Sequence, residues 1–300
     1  MITILITGSE GFLGSRFTKA FCENKKYNIV TVDTKKFCSD IPVKHYQTDI
    51  KSQKLEQVFL ENNIDFVIHL AAQVSVNNSV NNPQHDACEN IIGTLNLINL
   101  CKKYNVKKII GASTAAIYGD SQSLPINENA IPNPLSPYAV SKLAMENYIK
   151  ISGIDYIIFR YSNVYGDGLL RDGGGAGVVT KFVNGMLHNE KIIIYGDGTQ
   201  TRDFICIDNV VEANLRVLET NIKNETFNCS SGIETPINLL FEELSKITGY
   251  NQKPVYMPAQ IGSINRNVLD NSKIKKFYYP DIDLKTGLSK LVKNYMEIKI

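Results

Sequence analysis

Over the first two-thirds of the chain, short apolar runs alternate with stretches of helical period. Ile2–Thr7 and residues 29–33, 66–70, 108–112 and 156–160 are short and mostly β-branched or aromatic. Strands buried on both faces of a parallel sheet have this character. Between them Phe12–Glu23 and residues 55–62, 90–104 and 137–151 carry the apolar spacing of helices. This alternation predicts a doubly wound parallel α/β sheet of the Rossmann type. After Tyr165 the pattern changes. Residues 166–177 hold six glycines in twelve positions, which predicts a mobile loop. Beyond it the segments are irregular and punctuated by proline. The expected organisation is a sheet domain over 1–165, rejoined by part of 200–220, and a smaller C-terminal α/β domain over 166–300 that caps it.

Composition narrows the class. The chain has 300 residues, 43% hydrophobic and 21% charged, with a net charge of +2, enough apolar material for a large core and no basic excess. A disordered polyelectrolyte is excluded and a nucleic-acid partner is not expected. No apolar run is long enough for a membrane span. The six cysteines form no C-x-x-C and accompany four histidines, so neither a metal cluster nor a disulfide framework is expected. The first residues lack a basic n-region and a cleavage site and read as a strand. A reduced, cytoplasmic setting follows as the expectation.

Candidate chemistry begins where the first strand ends. Gly8, Gly11 and Gly14 are spaced G-x-x-G-x-x-G between a strand and a helix. Glycines there let the backbone approach a pyrophosphate, and the helix start offers free N–H groups. Asp33 ends the second strand about 20 residues on, where an acid bonds the ribose 2′-hydroxyl of adenosine and repels a 2′-phosphate. NAD is therefore favoured over NADP. Tyr138 and Lys142 form Y-x-x-x-K on one helix face, where a cation favours phenolate and makes the phenol a proton shuttle. Three such pairs occur, the others being Tyr104/Lys108 and Tyr295/Lys299, against roughly one by chance. Pro137 at a helix start, and Ser113 and Thr114 just past an apolar strand, select the middle pair.

Together these motifs resemble the extended short-chain dehydrogenase/reductases, within them the NAD-dependent nucleotide-sugar epimerases and dehydratases. The pieces are Thr7-Gly-Ser-Glu-Gly-Phe-Leu-Gly14, Asp49-Ile50, His69-Leu-Ala-Ala72, Asn90-Ile-Ile-Gly-Thr94, Ser113-Thr-Ala-Ala-Ile-Tyr-Gly119, Ser136-Pro-Tyr-Ala-Val-Ser-Lys142, Arg160-Tyr-Ser-Asn-Val-Tyr-Gly166 and Gly196-Asp-Gly-Thr-Gln-Thr-Arg-Asp-Phe204. The resemblance implies that Phe12 and Leu13 join the glycines at the pyrophosphate and that Asp49 and Ile50 flank adenine. It implies a cofactor cleft lined by Leu70, Ala71, Ala72 and Gln73, with Asn90 and Ser113 nearby and Tyr161 and Val164 at the nicotinamide. Thr114 takes the place of the catalytic hydroxyl beside Tyr138 and Lys142. Asn163, Arg202 and Arg266 match diphosphate positions, an arginine fork being suited to phosphate. Ser75, Val178, Val179 and Tyr195 complete the expected substrate site. The other reading of Arg202 is a surface ion pair with Asp203.

The resemblance also bears on the reaction. Dehydratases of this type carry Asp and Glu where this chain has Ala115 and Ala116, so water elimination lacks its acid and base. What remains is 4-epimerisation of a UDP-hexose, or 4-keto reduction. A non-catalytic NAD or sugar-nucleotide binder is the reading from another class, and the intact Thr114, Tyr138 and Lys142 set argues against it. Asn267 matches a position whose bulk gates N-acetylated sugars. Cys206 reads as core packing. Relatives pair as homodimers through the helix after the active site, which the short spacing from Lys142 to Arg160 shortens here.

Overall fold

The computed structural model describes residues 1–121, 123–168, 177–259 and 264–298. Most of the glycine-rich stretch expected to be a mobile loop, residues 169–176, lies outside them. The first half runs β1 (Ile2–Thr7), α1 (Phe12–Glu23), β2 (Tyr27–Asp33), β3 (Lys44–Gln47), α2 (Glu56–Glu61), β4 (Phe66–His69), α3 (Val76–Asn81), α4 (Pro83–Ala87), α5 (Gly93–Lys103), β5 (Lys108–Thr114), α6 (Pro137–Lys150) and β6 (Asp155–Tyr161). The second half runs β7 (Asn163–Tyr165), α7 (Val178–Leu187), β8 (Ile193–Tyr195), β9 (Thr201–Cys206), α8 (Ile207–Leu218), β10 (Glu225–Cys229), β11 (Glu234–Pro236), α9 (Ile237–Thr248), β12 (Val255–Met257) and α10 (Leu284–Ile298).

Seven parallel strands form one sheet in the order β10-β6-β5-β4-β1-β2-β3. This is the doubly wound α/β fold that the alternating runs predict. Side chains on β1 explain its two covered faces. Ile4 and Ile6 pack with Phe17 and Phe21 of α1 and with Val210 of α8, while Leu5 packs with Val58 of α2, Leu97 of α5 and Met145 of α6. Chain order reverses between β1 and β4, which opens a crevice at the carboxyl ends of the strands.

Two strands of this sheet escape the hydrophobic pattern. β3 reads Lys-His-Tyr-Gln and forms an edge, where one side faces solvent and no apolar run is required. β10 follows α8 back into the large sheet, beyond the 200–220 stretch, and pairs with β6. The expected helix 90–104 is also different. It begins at Pro83 and passes through a π-helical turn, Cys88–Ile92, before α5. That widened turn places Asn90 inward.

The rest of the second half builds a separate core. β11-β9-β7 form a three-stranded sheet and β12-β8 a two-stranded one. Phe182, Phe241, Leu244 and Leu288, from α7, α9 and α10, pack together beside them with Cys206, which is buried as core.

Candidate active site

The crevice is a cleft of about 590 Å³. Its floor is the turn from β1 to α1. Gly8 has φ +72, and a Cβ there would come within 2.7 Å of the Ala71 nitrogen. A Cβ at Gly14 would lie 1.9 Å from the Gly8 carbonyl oxygen, so only glycine lets α1 pack onto the turn. Gly11 caps α1 without a side-chain hydrogen bond, and the first turn holds no acid. The helix therefore offers uncapped N–H groups and the positive end of its dipole to an anion. Gly8, Gly11, Phe12, Leu13 and Gly14 all line the cleft.

At the adenosine end, Asp33 lines the cleft at the end of β2. Its carboxylate accepts from Glu10 N and Lys35 N, both at 2.9 Å, which fixes its direction. Asp49, held by Lys51 N at 2.8 Å, and Ile50 lie opposite. These groups fit NAD: an uncapped helix end for the pyrophosphate, a fixed carboxylate for the ribose, and an apolar wall at Ile50.

The other end brings Ser113, Thr114, Tyr138, Lys142, Tyr161 and Val164 to the same cleft, facing Leu70, Ala71 and Ala72. α6 begins where Ser136 Oγ accepts from Ala139 N at 3.2 Å with Pro137 in the first turn, a cap that aims Tyr138 at the cleft. Ser113 and Thr114 divide their work. The Ser113 hydroxyl donates to Glu146 at 2.5 Å and is committed to the interior. Thr114 caps the following turn through Ala116 N and also meets the Tyr138 hydroxyl.

The acid–base pair departs from expectation in one respect. Lys142 does not lower the Tyr138 pKa among the protein's own groups. Burial pushes the phenol up to about 12, Asp86 adds to this, and the Thr114 hydrogen bond only partly opposes it. Lys142 is itself buried, with Nζ 3.3 Å from Met145 Sδ, and burial pulls it down to about 8 against the support of Glu146 and Asp86. Burial thus favours the protonated phenol and the neutral amine among the protein's own groups.

Not every expected site residue reaches the cleft. Gln73 and Asn90 stand behind it, Asn90 holding the Gln73 backbone through bonds of 2.8 and 2.9 Å. Ser75 caps α3. Thr114, Asn163, Val178 and Val179 line the cleft; Tyr195, Arg202, Arg266 and Asn267 are beyond its lining. Arg202 shares a strand face with the cleft-lining Phe204 and bonds the carbonyls of Thr201 and Ile264. The ion pair with Asp203 does not form, because that carboxylate points the other way and accepts from Ser231 N, Gly232 N and Leu269 N. Arg202 has no carboxylate partner among the described residues. Arg266 does: Glu234 takes it in a two-point bond, both at 2.6 Å. Val74 and Gly177 also line the cleft and carry no motif that would have singled them out; Phe204, the last residue of the Gly196–Phe204 motif, lines it too.

A glycine turn, a strand-end carboxylate and a tyrosine–threonine pair share one cleft, an arrangement suited to a dinucleotide-dependent enzyme. The chain belongs to the NAD dependent epimerase/dehydratase family, whose pattern matches residues 4–230. NAD is its cofactor. A Methanocaldococcus jannaschii protein, named provisionally as a UDP-glucose 4-epimerase, is 39% identical over 98% of each chain. The UDP-glucose 4-epimerase of Thermotoga maritima, solved with UDP-glucose, is 38% identical with a TM-score of 0.95 over 100% of both chains. The UDP-N-acetylglucosamine 4-epimerase of Methanobrevibacter ruminantium, solved with UDP-N-acetylmuramic acid, is 29% identical with a TM-score of 0.91 over 99% of both chains. No helix among the described residues is long and apolar enough to cross a membrane.

Proposed function

We propose that the chain is a UDP-hexose 4-epimerase acting through a transient 4-keto sugar. The observation that carries this reading is the meeting of the Tyr138 and Thr114 hydroxyls in the NAD cleft, next to a turn where Ala115 and Ala116 offer no second acid or base. Bound NAD supplies a hydride acceptor and donor and a positive ring. Tyr138 takes the proton of the sugar 4-hydroxyl and later returns it. Thr114 bonds the same oxygen and orients it. Lys142 and the uncapped start of α1 hold the cofactor. Arg202 and Asn163 hold the diphosphate, which leaves the sugar free to turn and present its other face. The half-buried Arg202 guanidinium, lacking a carboxylate, suits that role. Arg266 would have to leave Glu234 to join it.

Two further parts belong to this reading. Val140, Tyr148 and Ile151 of α6 and its end, with Ile92 beside α5, expose apolar side chains that suit a second copy of the chain. Six free cysteines suit a reduced, cytoplasmic compartment.

The test is NMR of UDP-glucose and UDP-N-acetylglucosamine incubated with NAD-loaded protein and no reductant. Galacto signals are expected. The faster substrate reports how the buried Asn267 gates the sugar. Two unchanged sugars would refute the UDP-hexose reading; turnover of 4-keto substrates with NADH would then identify a ketoreductase.

A further inference from the structure

Asp86 is a buried carboxylate that the mechanism above leaves unused. It lies on α4 and is 1% exposed. Its Oδ1 accepts from Gln73 Nε2 at 2.8 Å and from Asn90 Nδ2 at 3.2 Å. It makes no ion pair among the described residues. Acids this buried are ordinarily paired.

Its two amide partners lead to both walls of the cleft. The Gln73 carboxamide also bonds Ser75, accepting from its N–H and donating to its carbonyl, and so fixes the loop that carries Ala71, Ala72 and Val74. Asn90 Nδ2 also donates to Ser141 Oγ at 2.9 Å, and Ser141 donates to the Tyr138 carbonyl at 3.0 Å. One carboxylate thus ties the cofactor loop to the first turn of α6.

The same charge acts on the reacting groups. Asp86 favours the ammonium of Lys142 and disfavours the phenolate of Tyr138. Other charges around this corner are already matched. Glu146, on the next turn of α6, is bound by Arg160 of β6 and by Lys150. His69 of β4 is held neutral by burial, down to about 3, between Thr7 and Thr94. Glu89 is bound by Lys51 and lies 3.6 Å from His85. Lys142 lies on α6, the helix against which α4 packs.

We propose that Asp86 is a positioning residue for the Tyr138–Lys142 pair: its buried carboxylate lies on the helix packed against the one that carries both groups, and its hydrogen bonds lock the 71–75 loop to that catalytic helix. The proposal rests on the acid–base reading of that pair. The carboxylate also keeps the phenol protonated until a positive charge enters the cleft.

The test needs no substrate. Tyrosinate absorbance is titrated for the protein and for Asp86→Asn, each against its own Tyr138→Phe derivative, with and without NAD. Asparagine keeps the shape and an acceptor oxygen and removes the charge. The Tyr138 midpoint is expected to fall by about half to one pH unit in Asp86→Asn. Asp86→Glu, which restores the charge, is expected to return it toward the parent value. In turnover, both limbs of the pH–rate profile are expected to move to lower pH, because Lys142 also loses its support. An unmoved Tyr138 midpoint in folded Asp86→Asn overturns the proposal, as does a midpoint that moves equally in Asp86→Glu. Should Asp86→Asn fail to fold, Asp86→Ser, also neutral, is read the same way; failure of both to fold makes the carboxylate a purely structural element and equally overturns it. Absence of epimerase activity in the parent protein leaves the titration readable, so the two readings fail separately.

Discussion

Replacing Glu146 by Gln tests whether the catalytic helix is anchored by one buried charge. The Glu146 side chain is 0% exposed and Arg160 5%. Arg160 grips it at two points, Nε at 3.0 Å and Nη2 at 2.8 Å, while Ser113 donates at 2.5 Å and Lys150 at 3.0 Å. Removing the charge leaves the guanidinium buried beside Tyr118 and the Glu128 carbonyl, neither of which neutralises it. Breaking a buried pair in this way costs about 3–5 kcal/mol. Glutamine keeps one acceptor oxygen, and Lys150 can turn to solvent, so the lower end, about 3 kcal/mol, is expected. Urea unfolding should show a midpoint lowered by about 1–2 M at unchanged slope. Burial alone would raise the Glu146 pKa, but the hydrogen bond and charge of Arg160, with Lys150 and Ser113, hold it below the usual carboxylate range. A carboxylate depressed in the folded state stabilises above its unfolded pKa, and that contribution is lost as pH falls through the folded one. The gap between parent and variant should therefore close on acidification. Removing both partners as Glu146→Leu with Arg160→Leu should cost less than the sum of the single changes. A midpoint shift below about 0.3 M, or additive losses in the double variant, would refute the reasoning.

Three shorter predictions follow from the cleft. Tyr138→Phe should lower kcat by about 10²–10⁴ while the purified protein keeps its NAD, measured as turnover beside cofactor released on denaturation; unchanged kcat removes Tyr138 from the proton path. Gly14→Ala forces backbone against backbone at the Gly8 carbonyl and should yield protein largely free of NAD, since no flexible side chain is there to give way; normal cofactor content would show that the α1 start does not hold the pyrophosphate. Asp33→Ser should narrow the preference for NADH over NADPH in a fluorescence titration by about tenfold or more, because the 2′-phosphate no longer meets a carboxylate fixed by Glu10 N and Lys35 N; an unaltered ratio would place the discrimination elsewhere.

Residues legible in the sequence share one property: their signal is local. The Gly8–Gly14 turn is a strand, three glycines and a helix start within fourteen residues, and Asp33 is the next strand's end. Tyr138 needs only its own cap and its own helix face. β5 and β6 are apolar because both of their faces are covered, so their runs mark them. β3 escapes because an edge strand needs no such run, and the π-helical turn because Cys88–Ile92 differs from an α-helix by one hydrogen-bond step rather than by composition.

Electrostatics obeys a different logic, and there sequence spacing misleads. A lysine four residues from a tyrosine suggests a lowered phenol pKa, yet burial raises the phenol and lowers the amine, with charges from other parts of the fold acting on both. Asp86 lies 56 residues before Lys142 in the chain, and Glu146 answers to Arg160 across the sheet. Ser113 and Thr114 are equivalent candidates as neighbours in sequence; the partner of Ser113, Glu146, is 33 residues away and decides between them. Arg202 and Arg266 look alike for the same reason, until Glu234 is found holding one and, among the described residues, no acid holding the other. Burial decides whether Tyr138 and Lys142 hold their protons, because in a low-dielectric interior a single unmatched charge outweighs helical proximity. In this chain the proton chemistry of Tyr138 is therefore a property of how α4, α6 and β6 pack, and the local Y-x-x-x-K motif supplies only the phenol and the amine on which that packing acts.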